Sequence, residues 1–157
     1  MNLKSHLEHK IFTTISEVAH ENGISAFVIG GYVRDLLLKR PSKDIDFVVL
    51  GSGIEMAEKV ATSLDVKNVA YYKNFGTAAF VFDGLEIEFV GARKESYNRN
   101  SRKPVVENGS LQDDQNRRDF TINALALSLN KSSFGELLDP FGGLEHMEQK
   151  LLKTPLD

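Results

Sequence analysis

The stretch that decides the fold is AFVIGGYVRDLLLKRPSKDIDFVVL, residues 26–50. Its first four residues, Ala26-Phe27-Val28-Ile29, form a short apolar run of the kind that makes a buried strand. Gly30-Gly31 breaks the run. Tyr32 to Lys39 follows with helical spacing, turning Val33, Leu36 and Leu37 inward, and Pro41 ends the helix. Residues 44–50, DIDFVVL, form a second strand. Side chains at i and i+2 of a strand share a face, so Asp44 and Asp46 project together while Ile45 and Phe47 enter the core.

Two adjacent carboxylates resist joint ionisation unless a divalent cation bridges them. Hard oxygen ligands at this density suit Mg²⁺, which takes one or two carboxylates and fills its shell with water and substrate phosphate. On its own, an Asp-x-Asp pair is more often an exposed strand face. The neighbouring glycines shift that weighting. Gly30 and Gly31 allow a phosphate to approach the backbone at a helix N-terminus, where free N–H groups and the positive dipole end meet it. Arg34, one turn into the helix, reaches the same place with a guanidinium suited to phosphate. A phosphate cradle and a carboxylate pair on neighbouring strands are what a nucleoside triphosphate with Mg²⁺ requires.

Upstream, Leu3, Leu7, Ile11, Ile15 and Val18 recur at helical spacing, predicting a helix over 2–21 that stops at Asn22-Gly23. Downstream, Ser52 and Glu55 fit a capping box opening a helix with Ile54, Ala57, Val60, Ala61 and Leu64 on one face. Residues 66–71 predict a strand. Residues 77–82 and 85–90 flank Asp83-Gly84, a strong hairpin signal. In the second arm Glu86 and Glu88 alternate with Ile87 and Phe89, so either glutamate can lie across from the two aspartates and complete a two-metal site. Residues 94–117 are polar and without period, and predict a long mobile loop. Asp113 or Asp114 is expected to cap a helix running to about Asn123. Leu125, Leu127 and Leu129 alternate as a strand able to pair with Leu137-Leu138, and a last helix carries Leu144, Met147 and Leu151 before Thr154-Pro155. The order predicts an α+β (mixed α/β) domain with a mixed sheet and helices on one side.

Composition narrows the classes. At 157 residues the chain suits one domain. Without cysteine it has no disulfide framework, thiolate metal site or thiol nucleophile. No apolar run nears the ~18 residues of a membrane span, and MNLKSHLEHK lacks the apolar stretch of a secretion signal, so no membrane partner and a cytoplasmic setting are expected. The net charge of −3 argues against nucleic-acid binding by global positive charge. Basic residues are nevertheless concentrated, with four from Arg34 to Lys43 against one acid, and seven from Arg93 to Arg118 against four acids. The histidines (6, 9, 20 and 146) fall away from these segments and are assigned to surface or packing. Tyr71, Tyr72 and Phe75 are assigned to the core or hairpin in preference to base stacking.

Residues 30–49, GGYVRDLLLKRPSKDIDFVV, resemble the signature of the polymerase-β-like nucleotidyltransferases, in the branch of class II CCA-adding enzymes (tRNA nucleotidyltransferases) and bacterial poly(A) polymerases. NRRDFTINALAL at 116–127 and LLDPFGG at 137–143 are similar to that branch's second and third motifs, and EFVGARKESY at 88–97 to the stretch around its third carboxylate. The resemblance covers roughly residues 25–153, and the N-terminal helical segment occupies 1–24. It implies the nucleotidyltransferase catalytic head: a mixed β-sheet flanked by helices. It further implies that Gly30, Gly31 and Arg34 hold the triphosphate and that Asp35 organises the site. Asp44, Asp46 and Glu88 would then be the catalytic metal ligands, with Glu88 preferred to Glu86 because Arg93 follows it by five residues. Arg118, Asp119 and Asn123 fall in the motif linked to ribose and phosphates; an arginine and a carboxylate can read a 2′-hydroxyl as donor and acceptor. Asp139 and Gly142-Gly143 match a hinge.

The activity so implied is template-independent, Mg²⁺-dependent transfer of a nucleoside monophosphate from CTP or ATP to an RNA 3′-hydroxyl, the RNA being tRNA, with release of pyrophosphate. Full enzymes of the branch continue into neck, body and tail, and the neck selects the base. This chain ends where the neck begins, so the resemblance predicts an isolated head that adds nucleotides weakly. A poly(A) polymerase, a CC-only or A-only adding enzyme, and a non-catalytic nucleotide-binding module are the alternatives. A dinucleotide-binding domain lacks its G-x-G-x-x-G.

Overall fold

In the computed structural model, which describes residues 1–97 and 104–156, a seven-stranded mixed sheet organises the chain. Strand β1 (Ala26–Ile29) leads through Gly30 into helix α2 (Gly31–Leu37), preceded by α1 (Lys10–Glu21), and β2 is Asp44–Val49. Helix α3 (Gly53–Ser63) follows, then β3 (Ala70–Tyr72), β4 (Thr77–Phe82) and β5 (Leu85–Gly91). A separate two-stranded sheet pairs β6 (Arg93–Tyr97) with β7 (Pro104–Asn108). Helix α4 (Leu111–Asn116), β8 (Ala126–Ser128), β9 (Leu137–Leu138) and α5 (Gly143–Glu148) complete the chain. The strand order is β3-β4-β5-β2-β1-β8-β9, and of the pairings only β2 with β5 is parallel.

Alternation along the strands gives the sheet two different faces. Val28, Ile45, Phe47, Phe80, Ile87 and Phe89 point to one side, where they meet Ile11, Phe12 and Ile15 of α1 and Met56, Ala57 and Val60 of α3 in the main core. Phe47 and Phe89 stack with centroids 5.2 Å apart, and Phe12 leans on Phe47 at 6.1 Å. The other face holds a smaller cluster, Phe27, Ile29, Val48, Ala92 and Ala126, with Leu111 of α4 against it. The rest of that face carries the carboxylates.

The expected elements 26–29, 44–50, 77–82 and 85–90 occur within a residue at either end, as does the pairing of the 125–129 strand with Leu137-Leu138. Asp83 (φ +52°) and Gly84 (φ +75°) make the tight turn of the hairpin. Six expectations need correction. The first helix does not begin at residue 2: a 3₁₀ turn (Lys4–His6) carries Leu7 into the core, and α1 starts at Lys10 with the His9 ring accepting from the Ile11 amide. The helix after Gly31 ends two residues earlier than expected, before a left-handed Lys39 (φ +56°). The strand expected over 66–71 is three residues at Ala70–Tyr72. The 94–117 segment is not one long loop, because β6, β7 and α4 occupy most of it; 98–103 lie outside the described residues. Its helix is capped by Ser110, in a capping box with Asp113, and stops at Asn116; Asn123 belongs to a separate 3₁₀ turn, Thr121–Asn123. Finally, α5 ends at Glu148 rather than at Thr154-Pro155, since Lys150 is left-handed (φ +55°).

Candidate active site

The site grows from the junction of β1 and α2. Gly30 has φ +81° and ψ −140°, a backbone region open to glycine and strained for any other residue. Its amide donates to the Leu125 carbonyl at 3.2 Å, and a Cβ there would stand 3.7 Å from Arg118 Nη1. Ile29, just before it, is the register partner of Asp46. The glycine turn therefore sits directly beside the carboxylate-bearing strand.

Parallel pairing of β2 with β5 sets Asp44 opposite Glu86 and Asp46 opposite Glu88. Register partners share a face, so all four acids project from the side of the sheet away from α1 and α3. They line one cleft of about 620 Å³. The crowding shows in their protonation. Burial raises the Asp46 carboxyl above its ordinary range, with Arg118 pulling it down and Asp44 pushing it up. Burial and then the charge of Asp46 raise Glu88. A hydrogen bond with Asp44, and then that group's charge, raises Glu86.

Two arginines close one end. Arg117 and Arg118, with Asp46, Glu88, Thr77 and Val90, line a second cavity of about 150 Å³ contiguous with the carboxylates. Both are held by Asp114, which is wholly buried. Its Oδ1 accepts from Arg117 Nη2 at 2.8 Å, and its Oδ2 accepts from Arg118 Nε and Nη2 at 3.1 and 2.8 Å. Buried Gln115 fastens the same helix by donating to the Ala124 and Leu138 carbonyls at 2.9 and 3.3 Å. Opposite, Arg34 Nη1 donates to Asn123 Oδ1 at 2.7 Å, and Asn123 Nδ2 donates to Asp119 Oδ1 at 2.9 Å. That bond, more than any other contact, lowers the Asp119 carboxyl. Arg34 Nε donates to Asp35 Oδ1 at 3.1 Å.

The predicted residues thus gather around one face. Asp44, Asp46, Glu86 and Glu88 share the cleft; Gly30, Arg34, Arg118, Asp119 and Asn123 form its β1 side, with Gly31 and Asp35 in α2. Arg118 does not pair with Asp119, as its place in the sequence invites; its partner is Asp114. Asp139 caps α5 by accepting from the Gly143 and Leu144 amides at 2.6 and 3.0 Å. His146 accepts or donates at Thr121 Oγ1, 2.7 Å away, so it has the packing role expected of it. Sequence reasoning missed Asp114, Gln115 and Arg117. The Ser110-x-x-Asp113 pattern was the available signal, since a helix starting there puts Asp114 within one turn of both arginines.

The mixed sheet flanked by helices is the architecture of a nucleotidyltransferase head domain. Residues 26–153 match the Poly A polymerase head domain, and the chain belongs to that family. It is 44% identical over 131 residues to the A-adding tRNA nucleotidyltransferase of Aquifex aeolicus (strain VF5), covering 83% of this chain and 16% of that protein. It superposes on a CCA-adding enzyme in apo form II with a TM-score of 0.85 at 33% identity, over 98% of this chain and 37% of that one. A tRNA nucleotidyltransferase complexed with a primer tRNA and an incoming ATP analog gives 0.76 at 39% identity, over 90% and 38%. The chain therefore spans well under half the length of these relatives. No helix among the described residues is long and apolar enough to cross a membrane.

Proposed function

We propose that the chain is the catalytic head of a template-independent RNA nucleotidyltransferase that joins a nucleoside monophosphate from ATP or CTP to the 3′-hydroxyl of tRNA and releases pyrophosphate. The observation that carries this is the β2–β5 register, which sets Asp46 level with Glu88 on one face while Ile29 delivers Gly30 to the side of Asp46. Relatives named for tRNA nucleotide addition, one of them bound to primer tRNA and an ATP analog, support the substrate class.

The donor set fits Mg²⁺. Among the described residues no three acids or histidines close around an ion unaided. Magnesium does not need such a cage, because it keeps several waters and shares substrate phosphate oxygens. Asp44, Asp46 and Glu88 offer hard oxygens whose mutual repulsion a cation relieves. Bound there, the ion would activate the attacking hydroxyl and stabilise the leaving oxygens. The chain's own part is positioning. Gly30, Gly31 and the N-terminus of α2 receive phosphate, Arg34 and Arg118 neutralise it, and Asp119 with Asn123 faces the ribose.

The test is incorporation of labelled ATP and CTP into tRNA lacking its 3′ end. The chain should bind Mg²⁺-NTP and incorporate slowly with little base selectivity. Asp44→Ala should reduce incorporation to background without unfolding the protein. Near-normal turnover in that variant would remove the metal assignment, and fast, ordered CCA addition by the 157-residue chain would overturn its reading as a head that needs further domains for selection. Sequencing products made with all four NTPs separates CCA, CC-only, A-only and poly(A) addition. Absence of Mg²⁺-dependent NTP binding would favour a non-catalytic module.

A further inference from the structure

The open face continues past Glu88 in ordered rows. Asp46, Glu88, Ala79 and Ala70 lie side by side across β2, β5, β4 and β3, and Val48, Val90, Thr77 and Tyr72 make the next row. Tyr72 therefore stands on the same face as the carboxylates, two strands and one row from Glu88, roughly 12 Å at the spacings of neighbouring strands and of alternate residues. The two alanines between them leave a shallow trench. Phe75, in the 3₁₀ turn after β3, rises beside Tyr72, and both rings line the cleft that holds Asp44, Asp46 and Glu88. Tyr72 is 52% exposed and Phe75 62% exposed. The sequence assigned them to the core or hairpin; the structure places Tyr72 on an edge strand and Phe75 in the turn that follows it, both facing solvent. Tyr71 is excluded, since the strand register places it on the opposite face, toward Glu58 of α3.

The glycine turn and Arg34 lie on the β1 side of Asp46, Arg118 reaches from beside Gly30 to the cavity at Glu88 and Thr77, and the aromatic wall lies on the β3 side. Two-substrate chemistry at the carboxylates needs two such flanks. The β1 flank is cationic and suits a triphosphate. The β3 flank is a pair of rings with exposed Lys73 beside them, which suits a single-stranded RNA end: a base stacks on the ring and the backbone meets the lysine. We propose that Tyr72 and Phe75 form a stacking shelf for the terminal base of the RNA acceptor, which holds its 3′-hydroxyl at the Glu88–Asp46 end of the alanine trench. This deepens the function proposed above and rests on it.

The test uses a short single-stranded RNA ending in 5-iodouridine, together with binding of the same RNA measured by fluorescence anisotropy at low salt. The expected result is a photocrosslink to Tyr72 or Phe75. Replacing both rings (Tyr72→Ala with Phe75→Ala) should weaken RNA binding at least about tenfold, in line with the loss of base–aromatic stacking, with Mg²⁺-ATP binding unchanged. Tyr72→Phe should keep wild-type RNA affinity, whereas Tyr72→Leu, apolar but without a ring face, should not. Both side chains are exposed, so a circular dichroism melt should match that of the parent. If the parent chain binds RNA but the double alanine variant binds it equally well, or the crosslink maps to another strand, the shelf is overturned and the proposed function stands. If the variant loses ATP binding equally, the rings serve the triphosphate flank and the shelf is again overturned. If the parent binds Mg²⁺-ATP but no RNA, both proposals fall.

Discussion

Asp114 shows how a single residue can govern a site it does not line. It is wholly buried, carries two guanidiniums, and sets where Arg117 and Arg118 stand relative to Asp46. Arg118 eases the Asp46 charge, so an amide at 114 should leave both arginines loosely held. Asp114→Asn is expected to cost about 1–3 kcal/mol, the penalty for spoiling buried charged hydrogen bonds, read as a lower urea midpoint, and to weaken Mg²⁺-ATP binding. The acids in the cleft have the opposite sign. A carboxyl whose folded pKa is raised takes a proton more readily in the fold than in the unfolded chain. Its contribution is most favourable below the unfolded pKa and is lost as pH rises through the folded one. Burial raises both Asp46 and Glu88. Asp46→Asn and Glu88→Gln should therefore raise the melting temperature near neutral pH, and raise it less in acid, while Asp46→Asn abolishes incorporation. Thermal melts at the two pH values check this; a variant that melts lower at neutral pH contradicts it.

Elements are placed here by close backbone approach. Helix α3 begins at Gly53, where a Cβ would come within 3.0 Å of three backbone atoms, those of Gly91, Gly76 and Val90. Backbone cannot yield as a flexible side chain can, so Gly53→Ala must shift α3 off β5, the strand that carries Glu88. A cost of about 1–3 kcal/mol is expected, with a matching loss of nucleotide binding; unchanged stability by urea titration would show that the helix start is looser. This scale also divides what was legible from what was not. Strands with sharp signals could be read: apolar 26–29, alternating 44–49, and the two arms around Asp83-Gly84. The failures have local causes. Leu3 and Leu7 keep helical spacing, yet His9 starts a new helix. Residues 93–97 and 104–108 carry charge and no alternation, and their pairing is with each other, in a two-stranded sheet apart from the main one.

Across the whole molecule, the sheet separates stability from chemistry. One face is filled by Phe12, Phe47, Phe80 and Phe89 under α1 and α3; the other carries a smaller apolar cluster around Ile29 and Val48 and beside it the open cleft with the carboxylates. The candidate residues were legible because the Asp-x-Asp alternation fixes a face and the glycine pair fixes a turn. Strand register, which no local pattern states, sets both glutamates beside the aspartates, Glu86 level with Asp44 and Glu88 level with Asp46, while the preference for Glu88 rests on the resemblance and the Arg93 that follows it. Likewise Tyr72 and Phe75, read as core or hairpin residues, are exposed because β3 is the edge of the sheet. A ligand bound only by the folded state stabilises it by mass action, so saturating Mg²⁺-ATP should raise the melting temperature of the parent chain and leave that of Asp44→Ala unmoved.

The central claim is that the β2 and β5 carboxylates hold a divalent ion beside the Gly30 turn. Mn²⁺, which favours the same oxygen ligands, reports on this directly by electron paramagnetic resonance. Titrated in the presence of ATP, the chain should bind Mn²⁺ in a ternary complex that Asp46→Asn and Glu88→Gln each weaken, while Glu55→Gln on α3 does not. Equal Mn²⁺ binding by the parent and Asp46→Asn would place the ion elsewhere and contradict the account.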